Sequence, residues 1–391
     1  MAVWKLTREG ACDAKRNFMF VKVHKAGGTT ATCIFQRFGY EHNLTFVLPV
    51  IKTDIGWPNL LRQEDFIPSA DGTYNVLVDH TVYNRQLLDH LMPPDTVYIS
   101  ILRQPLAQLR STFNWYHLVD HMNGLNGSKD PVASFLKRPN KFHIPYVKAD
   151  IRTRVPYTLE KNLMAYDLGF PLGLSDSQSS IDEYIETLTR EIDLVLILEH
   201  MDESLVLLRR MMCWTLKDIL YNVAPKNLNK YERSPMSAAL LNQHRQWSNV
   251  DYQLYDHFNA TLWQKIQREG ADFLHEVHHF RNVLNQTTIF CAKAITKVPV
   301  YNKTNNNIVG RKVGLNPTAG KLTIPKTAWH EKFDIDPTFC LKLKMEWRDW
   351  AYVLKKKHRM PRNISPDIRS AIEWPDTKVL DKSLMRKIFH V

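Results

Sequence analysis

The sequence lacks several signatures, and each absence removes a class of function. No cysteine pair has CxxC spacing or a nearby histidine pair, so Cys12, Cys33, Cys213, Cys291 and Cys340 do not read as a zinc site. Five is an odd number, so at least one of them has no intrachain partner. The HExxH order of zinc hydrolases is missing: the string around His275, His278 and His279 is HEVHH, and these histidines are read as solvent-facing or packing groups. The lysine that follows the second glycine of an ATPase phosphate loop is absent too, which argues against a kinase or GTPase. The opening stretch, MAVWKLTREGACDAKRNF, holds no apolar run long enough for a signal peptide or a membrane span. The expectation is therefore either a cytosolic protein or a form without its anchor. There is no internal repeat and no low-complexity segment.

What remains is a large globular chain. Its 391 residues are 44% hydrophobic and 11% aromatic, enough for a sizeable core in one large domain with extensions or in two smaller ones. A net charge of +12 suggests an anionic partner, whether nucleotide-like, nucleic acid, acidic glycan or membrane surface. N-x-[ST] sequons at Asn43, Asn126, Asn259, Asn285, Asn302 and Asn363 suggest a secretory-pathway lumen, where disulfides are also allowed.

The most informative stretch runs from Asn17 to Cys33, NFMFVKVHKAGGTTATC. An apolar strand, Phe18 to Val23, leads into a short loop, and helical spacing resumes through Ile34, Phe35 and Phe38. Gly27 and Gly28 let the backbone approach a ligand, Thr29 and Thr30 offer hydroxyls, Lys25 adds charge, and the helix end presents free N–H groups. On the loop alone, an anion cradle and an ordinary strand-to-helix turn are equally good readings.

Further strands are expected at 74–80, 96–102 and 193–199, separated by helices or loops, which describes an α/β protein with a central parallel sheet. Residues 41–73 read as a long loop and 103–121 as a helix. Helices are also expected near 157–167 and 180–191, then after Asp202 as N-cap, then from Pro235, and then across 260–284. Residues 296–330 read as irregular, and 340–357 as a basic amphipathic helix packed on the domain. Ligands of such sheets sit at the carboxyl ends of the strands, where His24, Lys25, His80 and Arg103 fall. Arg103 and Ser111, the latter two turns along the following helix, offer a second place for a phosphate.

Several ordered blocks carry a family likeness: FVKVHKAGGTT with FQRFG, VDH, ISILRQPLAQLRSTFNWY, LEHMDESLVLLRRMMCWTLKDILY and LYDHFNATLW. Together they resemble the galactose 3-O-sulfotransferases, the galactosylceramide sulfotransferase type among them, over about residues 17–291 with a weaker echo near Cys340. The resemblance implies a P-loop-like sulfotransferase fold with a central parallel sheet flanked by helices. It divides the chain into an N-terminal segment 1–16, a sulfotransferase domain 17–290 and a C-terminal extension 291–391 packed on that domain.

The activity implied is transfer of a sulfuryl group from 3′-phosphoadenosine 5′-phosphosulfate (PAPS) to the 3-hydroxyl of a β-galactose on a glycolipid or glycan, with no metal required. Lys25, Ala26, Gly27, Gly28, Thr29 and Thr30 match the family's 5′-phosphosulfate loop, Arg103 and Ser111 its 3′-phosphate site, and His24 and His80 its active-site histidines. His80 is the expected base, Lys25 with His24 the stabiliser of the leaving oxygen, and Lys22 a further charge. The implied partner is a galactoside, not nucleic acid, in the Golgi lumen, with membrane association only through an N-terminal anchor that this sequence does not show. Alternatives are a uronosyl 2-O-sulfotransferase and a non-catalytic glycan- or anion-binding protein. The chain departs from the family where His80 is followed by TVYN instead of a basic, aromatic run.

Overall fold

The computed structural model describes residues 12–51, 54–145, 157–223, 231, 233–301, 308–316, 318–374 and 388–389. Strand β1 (Phe18–Val21) leads into helix α1 (Gly28–Glu41), and β2 (Val76–Leu77), α2 (Arg85–Asp89), β3 (Val97–Leu102) and α3 (Pro105–Trp115) follow. After α4 (Pro131–Leu136) and α5 (Pro139–Phe142) come α6 (Leu163–Asp167), α7 (Gln178–Glu191), β4 (Leu194–Ile197) and α8 (Met201–Met212). Helices α9 (Ala238–Trp247), α10 (Asn249–Arg268) and α11 (Phe273–Ala294) complete the main body. Two hairpins, β5 (Ile295–Tyr301) with β6 (Ile308–Leu315) and β7 (Leu322–Ile324) with β8 (Phe333–Ile335), precede α12 (Pro337–Lys344), α13 (Trp347–Lys357) and α14 (Pro366–Ala371).

The central sheet is parallel throughout, in the order β2-β1-β3-β4. Its strands are apolar on both faces because helices cover both: Phe18, Met19, Phe20 and Val21 are all fully buried. Phe35 of α1 lies with its ring centroid 5.3 Å from that of Phe18 and 5.0 Å from that of Phe20, while α8 and α10 pack on β4. Burying each such ring contributes roughly 1.5–3 kcal/mol. The chain leaves β1 in one direction to reach β2 and returns past it to β3, so the crevice of this sheet opens at the carboxyl ends of β1 and β3.

The sheet and the long loop over 41–73 agree with the sequence reading, and element ends differ for local reasons. β2 is only two residues long because its flanks also bond the 41–73 loop: the Asn75 N–H donates to the Thr45 carbonyl, and the Ile55 N–H donates to the His80 carbonyl. α3 stops at Trp115 as His117 takes a left-handed φ of 52°. α8 is capped by His200, while Asp202 sits in its first turn and binds Tyr221 and Arg281. Ser237, not the Pro235 turn, starts α9, its side chain accepting from the Leu240 N–H. The stretch 260–284 breaks into two helices at Gly270, where φ is 93°.

The expectation of an irregular 296–330 is overturned, because the Ile/Val-bearing runs on either side of the Asn-rich tip pair as a hairpin. The 340–357 segment forms two helices, α12 and α13, with α13 against α1. Disulfides join Cys12 to Cys213 and Cys291 to Cys340, leaving Cys33 free. Among the described residues no helix is long and apolar enough to cross a membrane, and no group of three metal-ligating side chains occurs.

Candidate active site

The loop between β1 and α1 is shaped by two left-handed residues, Lys25 with φ 60° and Gly27 with φ 88°. A Cβ on Gly27 would lie 2.5 Å from Leu198 Cδ1, and one on Gly28 would lie 2.9 Å from Lys22 Cγ. A side chain at either position would push Leu198 or Lys22 aside, and at Gly27 it would meet the left-handed backbone angle as well. Gly27 is the N-cap of α1 and supplies no side-chain cap, and the helix's first turn contains no acidic residue. The Thr30 N–H donates to the Gly27 carbonyl at 3.1 Å, so the N–H groups of Gly28 and Thr29 and the positive end of a 14-residue helix are what remain for an anion.

Arg103, just past β3, reaches across the crevice and donates from Nη1 to the Lys25 carbonyl at 3.1 Å. Its Nε is buried with no hydrogen-bond partner. Gln108 of α3 donates to the His24 carbonyl at 3.2 Å, so strand, loop and helix are tied together. The Lys25 ammonium rests 4.0 Å from the ring centroid of Trp115, one turn along α3 from Ser111. Burial, and then the charge of Arg103, lowers the pKa of Lys25 to about 8.

His24 and His80, from the ends of neighbouring strands, stack with centroids 3.8 Å apart and planes at 15°. Burial, followed by the charges of His24 and Lys22, pushes the His80 pKa well below the usual value, and its Nδ1 is enclosed without a partner. Lys22 is buried and its pKa is lowered by desolvation, partly offset by Asp79. Desolvation raises Asp79 to about 6, against the pull of Lys22 and Lys355. The Lys22 ammonium also lies 5.2 Å from the ring centroid of Trp347 in α13.

The structure thus draws His24, His80, Lys22, Lys25 and Arg103 together at one sheet edge, with Ser111 on the adjoining helix. It also shows groups that sequence spacing did not single out. Asp167, the last residue of α6, accepts from the His24 backbone N–H at 2.6 Å, stands 2.9 Å from His24 Nδ1, and accepts from Trp57 Nε1 at 2.8 Å. Trp57 packs on His24 with ring centroids 4.3 Å apart. Asp167 lies 143 residues from His24, and no local pattern announces such a pairing.

A PAPS-like donor carries two anionic groups on one ribose, a 3′-phosphate and a 5′-phosphosulfate. The capless helix end and the orphaned Arg103 Nε suit those two anionic groups, so the residues present fit the donor.

The model of the galactose-3-O-sulfotransferase family matches residues 5–301. Galactosylceramide sulfotransferase of Mus musculus is 30% identical over 288 residues, covering 70% of this chain and 65% of the relative. Galactose-3-O-sulfotransferase 3 of Homo sapiens is 35% identical over 262 residues, 64% of this chain and 57% of that one. Galactose-3-O-sulfotransferase 2 of Homo sapiens is 33% identical over 257 residues, 65% and 62% of the two chains. This chain therefore spans 57–65% of the length of these relatives. Fold, loop and family match agree: the chain belongs to the galactose-3-O-sulfotransferase family.

Proposed function

We propose that this protein is a carbohydrate sulfotransferase that moves a sulfuryl group from PAPS to the 3-hydroxyl of a β-galactose on a glycolipid or glycan. The observation that carries the reading is the crevice between β1 and β3, where a capless helix end and an arginine with a buried, unpaired Nε face one another. PAPS supplies the activated sulfuryl group. Lys25, Ala26, Gly27, Gly28, Thr29 and Thr30 hold its 5′ end, and Arg103 with Ser111 holds the 3′-phosphate.

Lys25 and Lys22 lie where positive charge stabilises the leaving phosphate oxygen. His24 and His80 flank the acceptor hydroxyl, and one of the pair takes its proton. The reading assigns no step to a metal. Residues 17–290 are the catalytic domain, and 291–391 are an extension packed on it through α13 against α1, with Cys340 of α12 bridged to Cys291 near the end of α11. Two disulfides and sequons at exposed Asn43, Asn126 and Asn363 support a Golgi-luminal setting.

Isothermal calorimetry with adenosine 3′,5′-bisphosphate should show binding at one site. Incubation with PAPS and a panel of β-galactosides, followed by mass spectrometry, should place sulfate on the galactose 3-hydroxyl. A folded protein that neither binds the bisphosphate nor sulfates any galactoside would sink the proposal. Sulfate found on a uronic acid would favour the 2-O-sulfotransferase alternative.

A further inference from the structure

We infer that Asp167 is a positioning residue that sets the tautomer of His24 and makes its Nε2 the acceptor of the substrate proton. The inference rests on the sulfuryl-transfer reading above and assigns to His24 the role that the sequence pattern suggested for His80.

Asp167 is almost fully buried, and its side-chain hydrogen bonds converge on two residues beside the crevice, His24 and Trp57. Oδ2 accepts the His24 main-chain N–H, Oδ1 accepts the Trp57 indole N–H, and His24 Nδ1 stands 2.9 Å from each oxygen. A carboxylate only accepts, so Nδ1 must carry the hydrogen in this contact. The neutral ring then has its lone pair on Nε2, and among the described residues no hydrogen bond engages that atom. Trp57, at 4.3 Å between centroids, and the stacked His80, at 3.8 Å, pack on the ring and hold its plane.

His80 is placed differently. Among the described residues no hydrogen bond joins its ring to a carboxylate, its Nδ1 is enclosed, and the charges of His24, Lys22 and Lys25 disfavour a second positive charge there, against the pull of a Lys22 backbone hydrogen bond. A base must become cationic as it works, and a carboxylate behind the ring favours that change.

The step balances as follows. The acceptor hydroxyl oxygen forms the new bond to sulfur, and its proton passes to His24 Nε2, giving an imidazolium held against Asp167. The bond between sulfur and the bridging oxygen breaks, and its electron pair stays on the 5′-phosphate of the departing bisphosphate.

The decisive measurement needs no donor. Nitrogen-15 NMR of His24 in the wild-type protein should show the hydrogen on Nδ1, and a hydrogen on Nε2 would overturn the inference. Asp167→Asn is the matching variant. Either amide orientation keeps one carbonyl oxygen among the two atoms that stand 2.9 Å from Nδ1, so the variant can keep the tautomer while removing the negative charge that holds the imidazolium.

The kcat should then fall by about 10²-fold or more. The acceptor KM and the affinity for adenosine 3′,5′-bisphosphate should stay within about twofold, a split that general destabilisation would not give. A kcat within about threefold of wild type would also overturn the inference. If Asp167→Asn does not fold, the wild-type tautomer decides alone. Wild-type protein that failed to bind the bisphosphate would instead strike the sulfuryl-transfer reading, so the two failures are distinct.

Discussion

Lys25 is a cation in an expensive position, and its charge is conditional. Desolvation and the neighbouring Arg103 lower its pKa to about 8, so the ammonium is complete near neutrality and half lost near pH 8. If that charge helps hold the donor's 5′ end, affinity for adenosine 3′,5′-bisphosphate should fall as pH rises, by about tenfold from about pH 7 to about pH 9. Calorimetry across that range is the check, and Lys25→Arg, which cannot lose its charge there, should flatten the decline. An unchanged wild-type affinity would mean that Lys25 does not face the anion. The residues of this loop were legible in the sequence because strand, glycines and helix are contiguous. Asp167 and Trp57 were not, since they meet His24 only after the chain has folded through loops with no periodicity of their own.

At the scale of elements, two short pieces hold the site and each makes a prediction. The turn into α1 depends on Gly27, whose φ of 88° and contact with Leu198 both resist a side chain. Gly27→Ala should cost about 1–2 kcal/mol in denaturant unfolding and weaken bisphosphate binding with it, because the same turn aims the helix's N–H groups. Stability and binding both left unchanged would refute that coupling.

The five-residue α6, which ends in Asp167, is too short to stand alone. Asp251 of α10 holds its start by accepting the Ala165 N–H at 2.8 Å, and Asn162 returns the favour to the Val250 and Asp251 N–H groups. Burial raises Asp251 to about 7, above its unfolded value, so the folded state binds a proton that the unfolded chain releases. The contribution of Asp251 to stability should therefore be greatest in the acid and decline as pH rises from the ordinary carboxyl range to about 7. Thermal melts should show this decline, and Asp251→Asn should reduce it; a variant with the wild-type slope would exclude Asp251 as its source. The helices and the sheet were readable from apolar period, whereas cap positions, the break at Gly270 and the β5–β6 hairpin turned on backbone angles and pairings that composition does not display.

At the scale of the whole molecule, the C-terminal segment is bound to the sheet domain by two different means that separate experimentally. The Cys291–Cys340 bridge ties α12 to the end of α11, and α13 lies along α1 with Trp347 close to the Lys22 ammonium. The loop between β1 and α1, by contrast, is held by Arg103, Gln108 and Leu198, none of which belongs to that segment. Pairing of Cys291 with Cys340 was beyond the sequence, because five cysteines permit many connectivities and only the packing of α12 on α11 brings these two together. Closing a loop of 49 residues restricts the unfolded chain, so replacing both cysteines by serine should cost about 2–4 kcal/mol in denaturant unfolding. Under conditions where that double variant is still folded, adenosine 3′,5′-bisphosphate should bind it within about twofold of wild type, because the loop's anchors are intact. Acceptor KM is the quantity expected to rise, since loosening α13 moves Trp347 away from Lys22 at the edge of the transfer site. Loss of bisphosphate binding in the folded double variant would instead show that the C-terminal segment supports the donor loop.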